Sequence, residues 1–143
     1  MLARDVMSSP VITLRPEVPA HLAAALLVSH GFTGAPVVDG EGQVVGIATE
    51  ADLVRGRFRP EGWETDTAPE PTVGEVMTGS PLEMRPADDL ADVVSLMLDA
   101  GIRTVPIVED GELVGVITRR DVLRVVADRE LASDDMRRRR GTG

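Results

Sequence analysis

Residues 31–53 read GFTGAPVVDGEGQVVGIATEADL, and residues 101–122 read GIRTVPIVEDGELVGVITRRDV. The two stretches are one pattern written twice. Gly31 recurs as Gly101, and Pro36-Val37-Val38-Asp39 recurs as Pro106-Ile107-Val108-Glu109. After a slip of one residue, Val45-Gly46-Ile47-Ala48-Thr49 recurs as Val114-Gly115-Val116-Ile117-Thr118, and Asp52-Leu53 as Asp121-Val122. Further out, Val6-Met7 returns as Val76-Met77 and Arg15-Pro16 as Arg85-Pro86. The offset is 70 residues before the slip and 69 after it. Self-similarity at a constant spacing marks a duplicated structural unit.

Each copy has the same local grammar. A short apolar stretch, Val11-Ile12-Thr13-Leu14 or Leu82-Glu83-Met84, precedes a proline. A helix follows: Leu90, Val93, Val94, Met97 and Leu98 share one face of a 3.6-residue period. The first copy repeats this with Val18, Leu22, Ala25, Leu26 and Ser29. Gly31 and Gly101 stand where a left-handed helix end is wanted. Two β-rich runs come next, 35–38 with 44–48 and 105–108 with 113–117, joined by Asp39-Gly40-Glu41-Gly42 and Glu109-Asp110-Gly111. A last helix opens at Thr49 or Thr118. The predicted fold class is α+β: two β-α-β-β-α repeats packed through their sheets with pseudo-twofold symmetry. A unit of roughly 50 residues is marginal alone, so the two are expected to close one core and leave a pair of equivalent clefts. The expected boundaries are repeat 1 at 1–58, a linker at 59–72, repeat 2 at 73–131, and a disordered Arg-rich tail at 132–143.

Composition narrows the chemistry. Aromatics are only 2%, so the core must be aliphatic. With no cysteine, disulfides, thiolate catalysis and cysteine-ligated zinc are excluded. The longest apolar run, Leu22 to Val28, is too short to span a bilayer, and no signal-peptide pattern opens the chain. A cytoplasmic location without membrane attachment is the expectation. The net charge of −9 includes Arg137 to Arg140, so the body is more acidic still and repels nucleic-acid phosphates. Every other cationic side chain is also arginine, whose forked geometry suits phosphate.

The order Val-Met, helix, Gly-x4-Pro-[Val/Ile]-Val-[Asp/Glu], then Gly-[Ile/Val]-x-Thr-x-x-Asp resembles the CBS (cystathionine β-synthase) domain, twice over, from about Ala3 to Arg129. That resemblance implies a regulatory pair binding AMP, ADP, ATP or S-adenosylmethionine between the repeats. Thr49-x-x-Asp52 and Thr118-x-x-Asp121 carry two readings. Taken locally, each is close to a helix capping box. By the resemblance, Asp52 or Asp121 holds a ribose while Thr49 or Thr118 and the helix start face the phosphate. The resemblance also places basic groups of one repeat on phosphates held by the other. Those positions are Arg103 and Arg120 in the second repeat, against Thr33 with Gly34, and Ala51 with Glu50, in the first. The clefts are therefore expected to be unequal, the one pairing Asp52 with Arg103 and Arg120 being occupied. The alternative is that these arginines pair with surface acids. Ile12 and Phe32 match positions lining the base on the Asp52 side, and both read equally as core.

Other features point elsewhere or nowhere. His21 and His30 lack an acidic partner at metal-ligand spacing, so no metal site is expected. No catalytic constellation stands out, and the chain is read as a non-enzyme. Trp63 in the linker covers a core edge or anchors a partner. Val122, Leu123, Val125, Val126 and Leu131 give the last helix more apolar surface than one intramolecular face needs. In the resembling family these helices make dimer contacts, so a homodimer is expected, acting on a regulated protein in trans. The competing reading is a structural or protein-interaction module with degenerate clefts.

Overall fold

The computed structural model describes residues 1–9, 12–57 and 69–128. Trp63, Leu131 and the arginine tail lie outside the described residues. In each repeat one helix lies against one hairpin. Helix α1 spans Ala20–His30, and its equivalent α4, which follows a short helix α3 (Val73–Val76), spans Leu90–Ala100. Both end on a glycine in the left-handed region, Gly31 at φ 67° and Gly101 at φ 65°, as the sequence predicts. The Asp89 side chain caps α4 by accepting from the Ala91 amide at 3.0 Å. Leu90, Val93 and Met97 are buried as expected, whereas Leu98 faces outward. The buried face of α1 is Ala20, Ala23 and Leu27, so the face predicted through Leu22, Ala25 and Ser29 is wrong. Alanine at 23, 24 and 25 leaves the apolar period without contrast, and the larger Leu22 misleads.

The hairpins pair β1 (Gly34–Val38) with β2 (Val44–Thr49), and β4 (Thr104–Glu109) with β5 (Glu112–Thr118), both antiparallel. Their registers match through the slip: Val37 faces Gly46 and Val38 faces Val44, while Ile107 faces Gly115 and Val108 faces Leu113. The extra residue sits in the first turn. There the Asp39 carboxylate accepts from the amides of Glu41 (2.9 Å) and Gln43 (3.0 Å). In the second turn Asp110 and Gly111 both take positive φ, 52° and 81°, the conformation of a two-residue hairpin turn. The strand expected ahead of each helix shrinks to a single parallel bridge, Leu14 with Val37 and Met84 with Ile107. Helix α2 (Glu50–Arg57) and helix α5 (119–128) follow the hairpins.

The expected single core resolves into two, and each draws on both repeats. The first comprises Leu14, Ala23, Leu27, Val37 and Leu53, with Val73, Val76 and Met77 from the start of repeat 2. The second comprises Leu90, Val93, Ile107 and Ile117, with Ala3, Val6 and Met7 from the start of repeat 1. Backbone hydrogen bonds repeat the exchange. Val73 N donates to Val18 O and Gly74 N to Pro16 O, as Ala3 N does to Asp88 O and Arg4 N to Pro86 O. Strand β3 (Thr78–Gly79) then extends the first hairpin at Gly46 and Ile47, and Ser8 bridges Val116 in the second.

The conserved geometry of the two exchanges needs a glycine. A Cβ on Gly46 would lie 2.5 Å from Met77 Sδ and 2.8 Å from the Thr78 carbonyl oxygen, and one on Gly115 would lie 2.7 Å from Met7 Sδ. The thioether can yield, but the Thr78 carbonyl belongs to the pairing. Gly46→Ala is expected to destabilise the chain by about 1–3 kcal/mol. Gly79→Ala, where the space is open, should change stability by less than about 0.5 kcal/mol. Chemical denaturation of both variants checks this, and equal stabilities would refute the packing account. No helix among the described residues is long and apolar enough to cross a membrane.

Candidate functional site

Each hairpin delivers a Thr-x-x-Asp turn to the start of its following helix, and the capping box forms in both. Thr49 N donates to Asp52 Oδ2 at 3.1 Å, and Asp52 N donates to Thr49 Oγ1 at 3.2 Å. Thr118 N donates to Asp121 Oδ2 at 2.8 Å, and Asp121 N donates to Thr118 Oγ1 at 3.2 Å. The carboxylates are nearly enclosed, Asp52 at 4% and Asp121 at 8% exposure. Their second oxygens are met by arginines that sequence reasoning missed. Arg55 donates to Asp52 Oδ1 at 2.7 Å and Arg124 to Asp121 Oδ1 at 3.2 Å. The signal was available, since Asp-x-x-Arg recurs with the same offset as the rest of the motif. Both guanidinium side chains are about 70% exposed, at 72% and 68%. Ion pairs so open to water contribute roughly 0–1 kcal/mol. Each Oδ1 is thus held by a group that a ligand hydroxyl can displace at small cost.

The exchange of segments decides what stands beside each carboxylate. Thr78 Oγ1 donates to Asp52 Oδ2 at 3.4 Å, so the start of repeat 2 passes Asp52. From there the chain crosses to repeat 2, reaching its bridge at Met84. On this crossing Ser80 has φ 49°, a left-handed backbone ahead of a proline, and Leu82 is half exposed. The corresponding crossing of repeat 1 runs from Ser8, bridged to Val116 on the strand leading to Asp121, to Leu14 on β1. Ile12 is on this second crossing and partly buried. It lies between Ser8 on the Asp121 hairpin and Leu14 on the Asp52 hairpin, and Leu82 holds the equivalent place on the other crossing. The exchange itself is invisible in a repeat alignment.

Phe32 stands just past the end of α1. Its amide donates to Leu27 O at 3.0 Å as the chain turns at Gly31. The ring stacks on His30 with centroids 5.6 Å apart. It borders an open apolar groove of about 460 Å³ between α1 and α2, with Leu27, Val28, Leu53 and Val54, and with Thr33 and Glu50 also on its lining. It lines the helical face of repeat 1 together with Thr33 and Glu50.

The charged positions converge where the two sheets meet. Arg119 N donates to Arg103 O at 2.9 Å, and Glu50 N donates to Thr33 O at 2.9 Å. A Cβ on Gly34, next to Thr33, would lie 3.5 Å from Oγ1 of Thr104, next to Arg103. The two helix starts therefore flank one pseudo-twofold axis with unequal charge: Arg103, Arg119 and Arg120 on one side, Thr33, Glu50 and Ala51 on the other. All six are exposed. Among the described residues no ion pair forms to Arg103, Arg119 or Arg120, so these arginines are not consumed by surface acids. His21 is paired instead, its Nδ1 lying 2.5 Å from Glu70 Oε1 at the entrance to repeat 2.

The CBS domain family matches the chain twice, over residues 3–58 and 73–128. Among curated proteins the chain is similar to the chloroplastic CBS domain-containing protein CBSX1 of Arabidopsis thaliana, 30% identical over 85% of this chain and 61% of that one. CBSX2 of the same plant is 31% identical over 78% of this chain. The chain thus spans little more than half of these relatives, 61% and 56% of their lengths. Among solved structures, CBSX2 in complex with AMP superposes with a TM-score of 0.77 at 31% identity, covering 90% of this chain and 98% of that one. The CBS domain pair of protein MJ0100, in complex with 5′-methylthioadenosine and S-adenosyl-L-methionine, superposes with a TM-score of 0.78 at 27% identity over the same shares, 90% and 98%.

Proposed function

The chain belongs to the CBS domain family as a tandem pair, and from that premise we propose that it is a regulatory module binding an adenine nucleotide between its repeats. The ligand is AMP, ADP or ATP in the cleft bounded by Asp52 and the 78–84 crossing. Asp52 Oδ1 exchanges its exposed Arg55 partner for the ribose hydroxyls. Arg103 and Arg120 take the phosphates, with Arg119 beside them, through forked, charge-assisted hydrogen bonds. Thr49 keeps the cap that orients the carboxylate, as Thr118 does for Asp121. The observation that carries the reading is the set of exposed guanidiniums without an ion pair among the described residues, in the repeat opposite a buried carboxylate with a displaceable partner. Solved relatives of the same fold hold AMP in one case and S-adenosyl-L-methionine with 5′-methylthioadenosine in another.

No step of covalent chemistry enters this reading. A ligand joining Asp52 of repeat 1 to Arg103 and Arg120 of repeat 2 favours whichever relative tilt of the repeats fits it best. It shifts that equilibrium only by its difference in affinity for the two tilts. The output then acts in trans on another protein. A homodimer through the helical faces is part of the proposal, supported by exposed Val28 (81%) and Leu98 (76%), at equivalent places in the two repeats, and by exposed Val54 and Leu123. The same apolar surface favours the second reading, an interaction module whose clefts stay empty.

Titration calorimetry with AMP, ATP and S-adenosylmethionine separates these readings. Micromolar AMP binding is expected, weakened roughly tenfold in Arg120→Ala and falling as salt rises. Unchanged heats with all three compounds would leave only the interaction module.

A further inference from the structure

We infer that two copies of this chain pair with unlike repeats face to face. The helical face of repeat 1 in one copy lies on that of repeat 2 in the other, so that Glu50 of each copy meets the partner's Arg119. This rests on the homodimer within the reading above and assigns its orientation. The groove of about 460 Å³ between α1 and α2 opens among Val28, Phe32 and Val54, with Thr33 and Glu50 on its lining. Repeat 2 places Leu98, Ile102 and Leu123 at the equivalent positions, and Arg103 and Arg119 where Thr33 and Glu50 stand. The backbone confirms the match, since Arg119 N donates to Arg103 O at 2.9 Å as Glu50 N does to Thr33 O at 2.9 Å.

The two faces differ in size of side chain and in sign of charge. Repeat 1 carries the shorter Val28 and Val54 beside its groove. Repeat 2 carries the longer Leu98 and Leu123, 76% and 64% exposed. Among the described residues Glu50, Arg103 and Arg119 are exposed and form no ion pair, so each charge is open to one from outside. Pairing like faces would set Glu50 against its own copy and bring four guanidiniums together, Arg103 and Arg119 from each chain. Like charges across a contact disfavour that arrangement. Pairing unlike faces seats the leucines of one copy over the groove of the other and sets a carboxylate opposite the guanidiniums. A single twofold rotation makes this contact twice. One carboxylate pairs with one guanidinium, Arg119, and leaves Arg103 to the nucleotide.

The test is analytical ultracentrifugation of the full chain over a dilution series. Arg119→Glu decides the orientation, because its effect changes sign between the two arrangements. With unlike faces paired it sets a carboxylate against the partner's Glu50 and weakens the dimer by roughly tenfold or more. With like faces paired it relieves repulsion between arginines and tightens the dimer. Combining it with Glu50→Arg exchanges the two charges and should restore the dimer to within roughly threefold of the unaltered chain. Rising salt should weaken the unaltered dimer, since it screens attraction and not repulsion. Thermal melts by circular dichroism check that both variants fold, as the exposure of both positions leads one to expect. An unchanged or tighter dimer in Arg119→Glu, or no restoration in the double variant, would overturn the orientation and leave the homodimer standing. A chain that stays monomeric at every concentration would remove both, while the AMP calorimetry reports on the nucleotide reading independently.

Discussion

Replacing Asp52 by alanine is expected to weaken AMP binding by roughly 100-fold or more while the chain still folds. The ribose loses two hydrogen bonds to a charged acceptor, each contributing about 1.5–3 kcal/mol. The carboxylate is only 4% exposed, so water does not substitute for it. The fold loses less. The capping box at Thr49 disappears, which costs about 0.5–2 kcal/mol, and the Arg55 pair is too exposed to add much. Asp52→Asn separates the two effects, because an amide oxygen still caps the helix but carries no charge for the sugar. It should melt close to the unaltered chain and bind AMP much more weakly. Calorimetric titration beside thermal denaturation measures both quantities. Undiminished AMP binding in Asp52→Ala, or a larger loss in Asp121→Ala, would place the nucleotide in the other cleft.

The second large effect concerns the halves of the chain. Fragments 1–57 and 69–128, made separately, should each fail to show a cooperative melt, and their mixture should regain one. Val73, fully buried in the first core, is supplied by the second fragment, and Ala3, fully buried in the second core, by the first. Withholding these pieces opens a gap beneath each helix and leaves Gly46 and Gly115 facing solvent where Met77 and Met7 lay. Units of this length bury only about 60% of their surface even when complete. Removing several buried aliphatic side chains at about 2–5 kcal/mol each exceeds the stability such a unit has to lose. Circular dichroism of each fragment alone and of the equimolar mixture decides it. A sharp transition in either isolated fragment would show that the repeats are independent.

The parts of this architecture visible in sequence are those where residue type alone fixes geometry. Gly31 and Gly101 announce helix ends, Asp110-Gly111 announces a tight turn, and paired Thr-x-x-Asp motifs announce caps; all form where expected. The duplication gave the repeat fold directly. Legibility fails where two positions look alike or where contacts are distant. Three consecutive alanines hid the buried face of α1. Val6-Met7 and Val76-Met77 are the same dipeptide, so nothing in them says which hairpin each covers. That ambiguity hid Thr78 beside Asp52. Phe32 reads as a base platform because an aromatic beside a cleft motif invites that reading, and the Gly31 turn sets it against His30 on the groove between α1 and α2. The charge contrast across the axis was legible, since it needs only the alignment of 103 and 120 with 33 and 51. Arg119, whose amide meets the Arg103 carbonyl, completes it in three dimensions.

The traded amino-terminal arms have a consequence for assembly. A protein made of one repeat alone would find its missing arm only on a second molecule, and its folding would depend on concentration. Joining two copies head to tail turns that bimolecular requirement into an intramolecular one, with an effective concentration of the partner arm in roughly the millimolar range. The tandem is in this sense a covalently closed dimer, whose folding is insulated from dilution even though each half is incomplete.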